Sequence, residues 1–143
     1  MKTLEWSRRA GAALRVGIVL LVIPLSTVLL SAQNGSGWKA PASADQLRNP
    51  LEGNEKATLA GKKLYAQYCA ICHGNKGKGD GAAGMALKPR PANLTSPIVQ
   101  KQTDGAIYWK ITHGNPPMAA YKDVLTEEQR WQLVNFIRTL AKN

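Results

Sequence analysis

This 143-residue chain is short of cysteine, phenylalanine and acidic residues. Its two cysteines are too few for a disulfide framework, and too few for a four-thiolate zinc or iron–sulfur site. One Phe beside four Trp and four Tyr argues against a large aromatic core. No internal repeat is visible, and no run alternates well enough to be a strand. The length fits about one domain, which excludes a multi-domain enzyme. Nine acidic residues face 19 Lys and Arg, for a net charge of +10. What is present is otherwise ordinary: 44% apolar and 20% charged residues make a globular composition and argue against a wholly disordered chain.

The N-terminus takes up part of the length. Lys2, Arg8, Arg9 and Arg15 stand against Glu5 alone, and no charge follows from Val16 to Trp38. The apolar heart, Val16 to Leu30, is interrupted only mildly by Gly17, Pro24, Ser26 and Thr27. A basic flank before an apolar run is the pattern of an export signal. Signal cores run to about 15 residues and spanning helices need roughly 17–25, so residues 1–32 read either as a signal cleaved near Ala32 or as a retained membrane anchor. Both readings keep the basic flank in the cytoplasm and send the rest of the chain across the membrane, to the periplasmic side. Removing Lys2, Arg8, Arg9, Arg15 and Glu5 with that segment leaves 15 basic and 8 acidic residues, a net +7. Residues 33–53, rich in Gly, Ser, Pro, Ala and Asn, lack periodicity and read as a flexible linker. The folded domain is expected over residues 54–143.

That domain reads as all-α, with three main helices and a long middle loop. Gly61, Leu64, Tyr65, Tyr68 and Cys72 form one stripe of 3.6-residue period. Glycines and prolines then dominate residues 74–96 and make them a loop. A second, short helix is expected from about Asp104 to Thr112, stopped by His113-Gly114-Asn115-Pro116-Pro117. The last helix opens on Thr126 with Gln129 completing a capping box. Leu133, Val134, Ile137, Leu140 and Ala141 form its apolar face, and Arg138 and Lys142 suit its C-terminal dipole.

The chemistry is concentrated at Cys69-Ala70-Ile71-Cys72-His73. Two cysteines three apart on a helix project to one side, about one turn apart. That spacing lets both thiols form thioether bonds to the two vinyl groups of one haem, and the following His can place a ring nitrogen on the iron. The string is the haem c attachment motif. A thiol–disulfide redox pair is the poorer reading, since such a pair begins a helix and this one ends it. A zinc site would need a fourth ligand, which His113 could supply, and a plain disulfide would leave His73 a coincidence. An exported chain is the setting in which the haem reading is specific.

The sixth iron position has three candidates, Met85, His113 and Met118. Met85 lies 12 residues after His73, a short span in which to cross from one haem face to the other; otherwise it is a pocket filler. His113 otherwise reads as a surface or pocket-edge side chain. Met118 follows two prolines, which hold a thioether in place at little entropic cost. His/Met ligation is a standard cytochrome c pair, so His73 and Met118 are the expected axial ligands.

With these residues in view, the sequence resembles the class I c-type cytochromes, small bacterial monohaem electron-transfer proteins. The resemblance runs from about Thr58 to Ala141. It rests on Gly61 and Tyr68, on Cys69 to Gly74, on the loop Gly77-Lys78-Gly79-Asp80-Gly81, on Pro91-Ala92-Asn93-Leu94-Thr95, on His113 to Met118, and on Trp131 with Phe136. It implies a cytochrome c-like fold around one covalently bound haem c, with first and last helices crossing near Gly61 and Phe136. It also implies that a proline carbonyl, of Pro89 or Pro91, accepts the proton of the second His73 nitrogen, as such a bond orients a ligand ring. Relatives commonly place proline directly after the ligand Met, whereas this chain has Ala119. Trp109 and Arg90 are candidates to reach the haem propionates.

Two filled axial positions leave no place for a small-molecule substrate, which favours electron transfer over catalysis. Lys62, Lys63, Lys76, Lys78, Lys88 and Arg90 lie in or beside the haem-bearing segment and suit redox partners with acidic docking surfaces. Nucleic acid, the other use of basic charge, does not fit an exported haem domain. The expectation is therefore an exported, non-enzymatic electron carrier in a respiratory or photosynthetic chain, with a fixed haem subunit of a membrane dehydrogenase or oxidase as the alternative.

Overall fold

The computed structural model describes residues 37–142. The segment expected to be a signal or anchor, residues 1–32, lies outside the described residues. Among the described residues no helix is long and apolar enough to cross a membrane.

Five α-helices carry the domain: α1 (Glu55–Tyr68), α2 (Ala70–His73), α3 (Pro97–Gln100), α4 (Asp104–His113) and α5 (Glu127–Thr139). Short 3-10 turns add Ala42–Gln46, Gly84–Ala86 and Leu140–Lys142. Among the described residues there is no strand, only an isolated bridge between Asn115 and Met118. The three main helices start where side chains can satisfy free backbone N–H groups. Asn54 accepts from the Ala57 N–H and Thr103 from the Ala106 N–H, each at 3.0 Å. The expected Thr126–Gln129 capping box is complete, with reciprocal bonds of 2.8 and 3.2 Å. Glu127 and Glu128 at the start of α5 and Arg138 near its end complement its dipole.

The core forms where α1, α4 and α5 meet. Ala57, Gly61 and Tyr65 recur every four residues, so one face of α1 is buried. Leu133, Val134 and Ile137 of α5 and Ile107 and Ile111 of α4 close over it. Tyr108 stacks on Trp131 at 4.0 Å, and Tyr65 meets Phe136 at 5.0 Å. The crossing of α1 and α5 is set by Gly61, where a Cβ would lie 1.9 Å from the Gln132 carbonyl oxygen. Phe136, expected at the same crossing, packs one turn further along, against Tyr65.

Composition reads residues 33–53 as a linker. In the structure Ala44 is buried, and Asn49 Nδ2 donates to Asp104 Oδ2 at 2.8 Å and to Asn135 Oδ1 at 2.7 Å. The part from Ala44 to Leu51 is thus held against the helices. Asp104 Oδ1 pairs with Arg138 Nε at 2.6 Å, and the Arg138 guanidinium also donates to the Gln100 and Gln102 carbonyls. These bonds fix the start of α4 on the end of α5.

Candidate haem site

Helix α1 delivers the chain to Cys69, which closes α1 through its N–H to the Tyr65 carbonyl and opens α2. The stripe that reads as one helix is therefore broken at Cys69 (φ −111°). The Cys72 and His73 N–H groups both reach the Cys69 carbonyl, at 3.1 and 2.8 Å. That single turn places the two cysteines one above the other. Both thiols are free and half-buried. Burial, with Cys72 beside it, pushes the Cys69 thiol up to about 12, so it is a neutral thiol and no thiolate.

His73 is oriented by one bond. Its Nδ1 lies 3.1 Å from the Ala92 carbonyl. A carbonyl can only accept, so Nδ1 carries the proton and Nε2 keeps its lone pair for a metal. Burial lowers the His73 pKa, with the Ala92 bond opposing it, so the neutral ring is favoured. The acceptor is Ala92, not the expected Pro89 or Pro91. The Pro91 carbonyl instead lies against Gly79, where a Cβ would meet it at 2.4 Å. Gly79, at φ 77°, also donates its N–H to the His73 carbonyl at 2.8 Å. The glycine loop thereby wraps the motif from both sides.

Met118 closes a tight turn. Its N–H and carbonyl exchange hydrogen bonds with Asn115 at 2.8 and 3.0 Å, across the two prolines. Its side chain is half-buried. The loop is tied to the cysteine segment by Tyr121, whose hydroxyl donates to the Tyr68 carbonyl at 3.0 Å, next to Cys69. Burial raises the Tyr121 pKa, and Cys69, Cys72 and Tyr68 add to the shift. A second hydroxyl, of Tyr65, donates to the Gly74 carbonyl at 2.8 Å and braces the turn after His73. Sequence reasoning missed both tyrosine hydroxyls and Ala92, because no local pattern marks a phenol that bonds a carbonyl 53 residues away.

The other two candidates have contacts of their own. Met85 is exposed, and Arg90 Nη1 lies 3.4 Å from its sulfur. His113 is exposed, stacks on Trp109 at 4.3 Å, and bonds through Nδ1 to the Trp109 carbonyl of its own helix at 2.9 Å. Among the described residues no three His, Cys, Asp or Glu side chains are grouped to hold a metal, which counts against a zinc ion shared by the cysteines and His113. Trp109 also faces Trp38, at 6.4 Å. An open groove of about 540 Å³ is lined by Ala70 and Ile71, the two residues between the cysteines, and by neither thiol.

The arrangement fits a haem. Two thiols share one turn, an imidazole has one nitrogen occupied and one free, and Tyr68, Leu94, Tyr121 and Phe136 form a half-buried apolar layer on the core. Such a layer is completed by an apolar macrocycle.

Comparison with known proteins agrees. Residues 56–137, more than half of the chain, match the family described as cytochrome C oxidase, cbb3-type, subunit III. The cytochrome c subunits of the quinone alcohol dehydrogenases of Gluconacetobacter polyoxogenes and Komagataeibacter europaeus are each 31% identical over 102 residues, 64% of this chain. The chain spans only 20% of the length of either. A chain of the reducing HAO-like protein complex of Kuenenia stuttgartiensis superposes with a TM-score of 0.55 at 27% identity, over 66% of this chain and 49% of that one. The chain belongs to the cytochrome c family matched by the cbb3-type subunit III description, and carries the covalently bound haem c of an electron-transfer domain.

Proposed function

We propose that this chain is a class I monohaem cytochrome c, exported and held on or released to the periplasmic side of the cytoplasmic membrane, that passes single electrons between redox proteins. Cys69 and Cys72 would hold the haem through thioethers, and His73 and Met118 would ligate its iron. The observation that carries this reading is the His73 imidazole, with Nδ1 held by Ala92 at 3.1 Å and the Met118 loop bonded beside Cys69 through Tyr121. The haem supplies one-electron iron chemistry when bound. The chain's own residues do the rest. Ala92 orients the imidazole, the Asn115–Met118 turn presents a soft sulfur that favours ferrous iron and raises the potential, and the apolar layer excludes water. Lys62, Lys63, Lys76, Lys78, Lys88 and Arg90 are all exposed and supply a positive field for acidic partners.

A second reading, the fixed haem subunit of a dehydrogenase complex, is favoured by the curated relatives, which are subunits of such enzymes. Co-purification of a stoichiometric partner from solubilised membranes separates the two readings.

Mass spectrometry of the natively exported protein tests the attachment, which adds both thiols across the vinyl groups with no atom lost. A mass equal to the bare chain refutes the proposal. Met118→Ala is expected to open the sixth position, admit carbon monoxide to the reduced protein and lower the potential, while Met85→Ala changes little. Loss of the far-red sulfur–iron absorption in Met85→Ala, with its retention in Met118→Ala, reverses the ligand assignment.

A further inference from the structure

We propose that the segment Trp38–Leu51 is a strap that holds α4, and through it the Met118 loop, in place for axial ligation, with Trp38 and Asn49 as positioning residues. The proposal rests on the reading of Met118 as ligand. Helix α4 has ten residues, fewer than the roughly 12–15 at which an isolated helix is even marginal, so its position is set by what packs on it. Its inner face carries Ile107, Tyr108 and Ile111 into the core. The strap touches it at its start and again in its second half, at Trp109 and Lys110, and lies antiparallel to it.

At the start of α4, Asn49 donates to Asp104 Oδ2 at 2.8 Å, and the Thr103 hydroxyl donates to Asp45 at 2.6 Å. Gly105 lets the backbone of the strap lie directly on the helix, since a Cβ there would stand 2.0 Å from the Ala44 carbonyl oxygen. One turn before the end of α4, Trp38 packs on Trp109 at 6.4 Å, and Lys110 Nζ sits 5.3 Å over the Trp38 ring. Trp109 in turn stacks on His113. His113 directly precedes Gly114, at φ 62°, whose Cβ position lies 2.6 Å from the Ala119 and Ala120 backbone. The residues that follow Met118 are therefore seated against the end of the helix that the strap clamps. Tyr121 and Lys122 close the contact through their N–H bonds to the Ile111 and Thr112 carbonyls, at 3.0 and 3.2 Å. The family match begins at residue 56, after the strap.

The test uses the full-length holoprotein as Trp38→Ala, Trp38→Phe, Asn49→Ala and Met118→Ala, with haem content and far-ultraviolet circular dichroism as controls. Trp38→Ala is expected to weaken the far-red sulfur–iron band and to bind carbon monoxide in the ferrous state about 5-fold faster or more, the lower range of a coupling between sites. Trp38→Phe keeps the ring contact and stays near wild type. Asn49→Ala acts from the far end in the same direction, and carries the test alone if Trp38→Ala is not recovered with haem. If the alanine variants melt earlier but keep the wild-type band and carbon monoxide rate, the strap only stabilises and the proposal is overturned. If Met118→Ala also leaves both readouts unchanged, the ligand assignment has failed, and the strap proposal falls with it.

Discussion

The crossing of α1 and α5 makes the sharpest stability prediction, because α1 carries the cysteines and α5 carries much of the core. In Gly61→Ala the new methyl would lie 1.9 Å from the Gln132 carbonyl oxygen and 2.5 Å from its carbonyl carbon. Both obstacles are backbone, so no rotamer relieves them. Reaching an ordinary carbon–oxygen separation of about 3.3 Å requires the helices to part by roughly 1.4 Å at that point. Tyr65, Leu133 and Val134 are essentially fully buried there. Each contributes about 2–3 kcal/mol through burial, and a gap of that order forfeits about half of their close contact, for a loss of about 3–4 kcal/mol. Alanine is the better helix former by about 1 kcal/mol, which leaves a net destabilisation of about 2–3 kcal/mol, within the range for overpacked sites. For a domain of this size the melting temperature is expected to fall by about 10–20 °C. Far-ultraviolet circular dichroism melts of the holoprotein measure it. A Gly61→Ala protein that melts within about 3 °C of wild type refutes the close-approach argument.

Two further outcomes follow from single side chains and a third from the exposed cations. Arg138→Met removes the ion pair to Asp104 and the bonds to the Gln100 and Gln102 carbonyls; the loss is expected at about 2–3 kcal/mol and is read as a shifted denaturant midpoint with unchanged slope. Burial, with smaller effects of Cys69 and Asp80, raises the Tyr65 pKa above that of a free phenol. The unfolded chain therefore sheds this proton near pH 10 while the folded chain keeps it, so stability is unaffected below pH 10 and falls above it by up to about 1.4 kcal/mol per pH unit. Tyr65→Phe is expected to flatten that slope in denaturant titrations at pH 9, 10 and 11, and an unchanged slope sinks the assignment. Electron transfer to an acidic redox protein, followed by stopped flow, is expected to run ~10-fold faster or more at low salt than at high salt; a rate indifferent to ionic strength shows that the exposed lysines do not steer encounters.

What was legible in the sequence was local. Thr126 with Gln129 announces its helix because capping is a contact between neighbours in the chain. Cys69, Cys72 and His73 announce themselves because a helical turn brings residues three and four apart together. Gly61 could be placed at a crossing, but its partner could not, since which residue of α5 faces it depends on the crossing angle. The contacts that hold the rest are long-range and polar. Asn49 reaches Asp104 and Asn135 across 55 and 86 residues, and a segment rich in Ala, Ser, Pro and Asn carries no periodicity to advertise that it will be clamped. The acceptor for His73 failed for a related reason. Pro89 and Pro91 both precede Ala92 in the loop, and the Pro91 carbonyl faces Gly79 while the Ala92 carbonyl faces the imidazole. Residue identity thus determined which groups could do the chemistry. The glycines Gly61 and Gly79, each at a point where a backbone comes too near for a side chain, determined how those groups are aimed.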